Sequence, residues 1–120
     1  MPASDTGALS TPVFQILLSL VDADLHGYAL IQDIRVRTGG EVELTASTLY
    51  GAIKRMVAEG WIAEVAPARA AADDPRRRYY RITRDGREIA RAEAARLDRL
   101  TAMAREKKLL PALRPASKGT

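Results

Sequence analysis

The chain has 120 residues, no cysteine, one histidine and a net charge of +4. That length supports one domain with a modest core, and the missing cysteines exclude disulfides, thiol nucleophiles and cysteine-based metal sites. The longest apolar run, Val13 to Val21, is broken by Gln15 and Ser19 and follows no basic leader; it is too short to span a bilayer, so the reading is a soluble cytoplasmic protein with no membrane contact.

Residues 1–10 are small and polar and read as a disordered N-terminus. Thr11 is placed to cap a helix over about 11–22, with Pro12 at its first position, where a missing N–H is harmless. Phe14, Leu17, Leu18 and Val21 supply its apolar face. His26-Gly27-Tyr28 opens a second helix, about 27–38, with Leu30, Ile31 and Ile34 as its stripe and Gly39-Gly40 as its stop. His26 reads as a local hydrogen-bonding group rather than a ligand or a base. Glu41 to Leu44 is expected to be extended.

The next segment, TASTLYGAIKRMVAEGW, organises the rest. At 100° per residue, Leu49, Ile53, Met56 and Val57 share one side with Ala46 beside them; Ser47, Gly51, Lys54 and Arg55 share the other. Thr45 can accept from the free N–H groups of the first turn, and Gly60 can take the positive φ that ends a helix. Alone, this is an ordinary amphipathic helix. Its outer face is nevertheless small, hydroxylated and cationic, which suits close approach to a DNA major groove.

WIAEV, residues 61–65, alternates as a strand. A turn-rich loop from Pro67 to Pro75 leads to RRRYYRIT, residues 76–83, a second strand with Arg78, Tyr80 and Ile82 on one face and Arg77, Tyr79, Arg81 and Thr83 on the other. The two make an antiparallel hairpin whose loop is too long for a tight turn. Arg76, Arg77, Arg78, Arg81, Arg84 and Arg87 crowd this region against Asp85 alone. Residues 84–110 then form one long helical pattern, with Ala90, Ala94, Leu97, Leu100, Met103 and Ala104 at steps of three and four. A helix that long projects beyond a small domain, so its stripe is expected to pack on a second chain as well as on its own. The tail, 111–120, reads as disordered. The order helix, helix, helix, hairpin predicts a mainly α fold with a small β hairpin: a winged helix-turn-helix over 11–83 and a C-terminal dimerisation helix over 84–110.

At this point the residues resemble the PadR-type transcriptional regulators. The resemblance is carried by the apolar first helix, His26-Gly27-Tyr28, Thr48-Leu49-Tyr50 with Lys54-Arg55 and Gly60-Trp61-Ile62, and Arg77-Arg78-Tyr79-Tyr80-Arg81-Ile82-Thr83 with Gly86. It covers about residues 11–88. Gly51 stands where the family usually has Pro, and Ile53 and Met56 where Leu is commoner. The single helix after the wing resembles the smaller branch of the family.

The resemblance implies a homodimeric, sequence-specific DNA-binding regulator, a repressor, acting on a pseudo-palindromic duplex operator and answering an unidentified signal such as a small-molecule effector. Ser47, Thr48, Tyr50, Lys54 and Arg55 would lie in or beside the major groove, and Arg76, Arg77 and Arg78 would hold the backbone. Trp61 could line an effector cavity or join the core. The alternative from another class is a winged-helix protein-protein interaction module without DNA binding; the concentrated arginines argue against it. No Gly-rich phosphate loop, nucleophile–His pairing or carboxylate cluster points to an enzyme, and no metal or cofactor is indicated.

Overall fold

The computed structural model describes residues 8–66 and 77–113. The first helix, α1 (Thr11–Leu20), is apolar on nearly every side and becomes the hub. It packs on α2 (Gly27–Arg37), α3 (Ala46–Ala58), α4 (Arg84–Glu106) and strand β3 (Tyr79–Ile82). Because its neighbours surround it, the buried residues are Val13, Ile16, Leu17 and Leu20, not the single face expected from Phe14, Leu17, Leu18 and Val21. Phe14 and Leu18 are half-buried and Val21 is exposed. Each fully buried aliphatic side chain contributes roughly 1.5–3 kcal/mol.

Leu9 and Ser10, expected in the disordered N-terminus, take part in the fold. Ser10, not Thr11, caps α1 by accepting from the Val13 N–H at 3.4 Å. Leu9 packs on the core and donates its N–H to Glu93 Oε1 at 3.4 Å. Glu93 is buried, and the Arg96 guanidinium grips its carboxylate through two bonds of 3.0 and 2.7 Å. Those bonds hold the carboxyl below the usual carboxylate range. A second polar tie joins α1 to α2: buried Ser19 donates to Asp33 at 2.7 Å, and Arg37 bonds Asp33, Ser19 and Gln15.

The expected hairpin is a three-stranded sheet. β1 (Leu25–His26) adds to β3 on the side opposite β2 (Ile62–Val65), in the order β1-β3-β2. The registers are Leu25↔Tyr80 with His26↔Tyr79, and Ile62↔Ile82 through Val65↔Tyr79. A two-residue strand between helices has no periodicity to read. Its presence makes β3 central, and adjacent Tyr79 and Tyr80 are both buried where alternation would expose one. The segment 41–44 forms no strand; Val42 and Leu44 instead pack against the core.

The stops of α2, α3 and α4 follow one mechanism. Gly39 and Gly60 take φ +62° and +81° after α2 and α3. The following residues, Gly40 and Trp61, donate back to Arg35 and Met56. α4 ends the same way, four residues short of the expected 110: Lys108 takes φ 63° and Leu109 donates to the Ala104 carbonyl at 2.8 Å. A lysine in the left-handed region gives no glycine signal, which is why the helix read long.

Gly51 lies inside α3 with open space where a Cβ would stand. Gly51→Ala is therefore expected to stabilise the protein by about 0.5–1 kcal/mol, read as a rise of a few degrees in the calorimetric melting midpoint. A lower midpoint would contradict this account of α3.

Candidate nucleic-acid interface

α3 is fixed at its start by Thr45, whose Oγ1 accepts from the Thr48 N–H at 3.1 Å. Leu49, Ile53 and Met56 are buried and anchor it. Val57, expected on that face, is 42% exposed, and Ala46 is exposed as well. The apolar stripe is narrower than the sequence pattern because α1, α2 and β2, its main neighbours among the described residues, leave Val57 and Ala46 uncovered. Ser47, Thr48, Gly51, Lys54 and Arg55 face outward. Among the described residues neither Lys54 nor Arg55 has an acidic partner.

A groove runs between α3 and the wing strands. Tyr50, Ile53, Lys54 and Val57 line one side; Glu64, Arg78 and Tyr80 line the other. The fold thus brings Arg78 of the wing beside Tyr50 and Lys54, which are one turn apart on α3 and far from it in sequence. It also inserts a carboxylate the sequence reading passed over. Glu64 accepts from Arg78 at 3.4 Å. Its strand position opposite Tyr80 could have signalled this only if the register were known. Burial, and secondarily the Glu64 charge, pushes the Tyr80 hydroxyl above its ordinary pKa, so it stays a neutral donor.

The wing arginines do not form one patch. Arg77 lies on the other side of β3 from Arg78, with its Nη1 3.3 Å from His26 Nε2. It borders a shallow depression with Leu25, Tyr28 and Val36. His26 caps α2, its Nδ1 accepting from the Ala29 N–H at 3.2 Å, and its ring meets Tyr79 edge-on at 5.3 Å. The local hydrogen-bonding role expected of His26 is the one it has. Arg81 is turned back onto the fold by a two-bond fork to Asp24 at 3.1 and 2.8 Å. Arg87 donates to the Val21 carbonyl at 3.2 Å. Arg76 and the loop from Pro67 to Pro75 lie outside the described residues. A count of arginines cannot distinguish those bonded within the chain from those left to face a partner.

The α4 stripe divides in two. Ala90 belongs to the chain's own core. Beyond it Ala94 is exposed, Leu97, Leu100 and Met103 are 37%, 46% and 56% exposed, and Ala104 is half-buried. Trp61 is half-buried against the core. Among the described residues no cluster of three metal-ligating side chains occurs, and no helix is long and apolar enough to cross a membrane.

Comparison with known proteins gives the same picture. The model of the family described as "Transcriptional regulator PadR-like family" matches residues 16–92. An uncharacterized protein from Lysinibacillus sphaericus is 32% identical over 76 residues; the match takes in 60% of this chain and 64%, just under two thirds, of that relative. A PadR family transcription regulator from Clostridium difficile R20291 superposes with a TM-score of 0.68 at 23% identity, covering 81% of this chain and 97% of that one. A transcriptional regulator from Clostridium thermocellum gives 0.67 at 24% identity, over 82% and 97%. The PcaV transcriptional regulator from Streptomyces coelicolor, in complex with its natural ligand, gives 0.66 at 21% identity, over 87% and 64%.

Proposed function

Because the chain belongs to the PadR-like family of transcriptional regulators, we propose that it is a cytoplasmic, homodimeric repressor that binds a pseudo-palindromic DNA operator. Members of this family are transcription factors, not enzymes. The observation that carries the reading is the division of α3: Leu49, Ile53 and Met56 hold it to the core while Lys54 and Arg55 project outward without an acidic partner among the described residues, Lys54 beside Arg78 of the wing.

In this reading Ser47, Thr48, Tyr50, Lys54 and Arg55 enter or border the major groove. Arg77 and Arg78, with Arg76, meet the sugar-phosphate backbone and release its condensed counterions. The single exposed Arg78–Glu64 contact is weak enough to exchange for phosphate. The Arg81–Asp24 fork is held by two bonds and is not. Leu97, Leu100 and Met103 of two chains would pair the heads and set half-sites about 34–36 Å apart. A signal, such as a small molecule near the dimer junction, would act by changing the angle between heads.

Titration of duplex DNA across salt tests the assignment. Arg78→Ala is expected to weaken binding to all sequences and to lower the salt slope by about one. Arg81→Ala is expected to leave the slope unchanged. Arg55→Ala is expected to change the sequence selected from a random pool. Equal slopes for wild type and Arg78→Ala would reject the wing's role. A wild-type protein that ignores duplex DNA at low salt would favour the protein-interaction module instead.

A further inference from the structure

Gly27 is the first residue of α2, a helical position with no positive φ. Its backbone therefore makes no demand for glycine, and alanine is the better helix former by up to about 1 kcal/mol. What excludes a side chain is a neighbour. A Cβ on Gly27 would overlap the Tyr50 hydroxyl oxygen and stand 2.7 Å from Tyr50 Cζ and 3.3 Å from Leu49 Cδ2. Tyr50 thus lays the far end of its ring on the bare backbone of the α2 start. Tyr50 as a whole is still 49% exposed, and it lines the groove that also holds Lys54 and Arg78.

We propose that Gly27 is a positioning residue for DNA recognition: its missing side chain is the seat that fixes the Tyr50 ring at the mouth of the groove between α3 and the wing. This rests on the DNA-binding reading above. Leu49, one residue before Tyr50, is fully buried, so the backbone of α3 stays anchored when the ring is displaced. Gly27→Ala swings a flexible phenol outward into the space that a duplex would occupy. The same junction is bounded on its other side by His26, which caps α2 and pairs with Tyr79 of the wing. One short segment therefore registers both DNA-facing elements.

The test is a double-mutant cycle on the full chain, using the duplex that wild-type protein enriches from a random pool. Gly27→Ala is expected to weaken binding about tenfold with a melting midpoint within a few degrees of wild type. Tyr50→Ala is expected to weaken it to a similar degree. The double variant is expected to bind no worse than Tyr50→Ala, because the obstructing ring is gone. Binding by Gly27→Ala equal to wild type, or losses that multiply in the double variant, would overturn the assignment. If Gly27→Ala alone does not fold, the comparison of Tyr50→Ala with the double variant decides, and weaker binding by the double variant overturns it. Should wild type enrich no duplex, the DNA-binding reading fails first and this assignment falls with it.

Discussion

Replacing Gly86 by alanine is expected to destabilise the protein by about 2–3 kcal/mol, lowering the melting midpoint by roughly 10 °C. A Cβ there would overlap the Trp61 carbonyl oxygen and stand 2.9 Å from its carbon and 3.0 Å from Ile82 Cγ1. Unlike the phenol above Gly27, this obstacle is backbone and is itself tied down. The Trp61 carbonyl accepts from the Thr83 N–H at 3.0 Å. Thr83 Oγ1 donates to the Gly60 carbonyl at 2.6 Å and accepts from the Gly86 N–H at 3.0 Å, capping α4. The knot joins the end of α3, the end of the wing and the start of α4, so none can retreat alone. Gly86 also sits inside a helix, where propensity by itself favours alanine. Gly51→Ala and Gly86→Ala are thus the same substitution in two helices with opposite expected signs. Calorimetry on both would settle the matter; a midpoint for Gly86→Ala at or above that of wild type would show that the knot yields.

The second large effect belongs to α4. Leu100→Glu with Met103→Glu is expected to convert the proposed dimer to a monomer and to reduce affinity for the proposed two-site operator at least a hundredfold, because the second head loses its effective concentration. Two carboxylates on an apolar seam cannot be buried without partners. Both positions are about half exposed and lie beyond Ala90, the last apolar α4 residue in the chain's own core. Each head is therefore expected to stay folded, with an unchanged far-ultraviolet spectrum. Light scattering gives the mass and a gel shift gives the affinity. A variant that remains dimeric would move the dimer contact elsewhere, and a monomer that binds the full operator as tightly as wild type would remove dimerisation from the recognition mechanism.

Local chemistry carried much of this far from the sequence alone. The Thr45 cap and the Gly60 stop frame α3 as read, because a hydroxyl beside free N–H groups and a glycine at positive φ act within one turn of themselves. The inward Leu49, Ile53 and Met56 followed from a period of 3.6 residues. His26 as a local hydrogen-bonding group was legible for the same reason. Most of what failed depended on a neighbour distant in sequence. The α1 face was misjudged because four elements surround that helix. β1 was missed because its partner lies more than fifty residues away. The end of α4 was misplaced because Lys108 adopts a conformation its residue type does not advertise.

The sequence by itself determined the order of the helices and of the β2–β3 hairpin, the caps of α3 and α4 and the two-faced composition of α3, since periodicity and capping are properties of contiguous residues. Only the tertiary structure decided which cations remain available. Arg81 and Arg78 are three residues apart in one arginine-rich run, yet one is locked to Asp24 and the other opens on the groove beside Lys54. It also decided why a Cβ is obstructed at two glycines with ordinary backbone angles, by a movable phenol at Gly27 and by fixed backbone at Gly86. In both cases the deciding atom belongs to another element, and its distance is set by packing that no local pattern encodes.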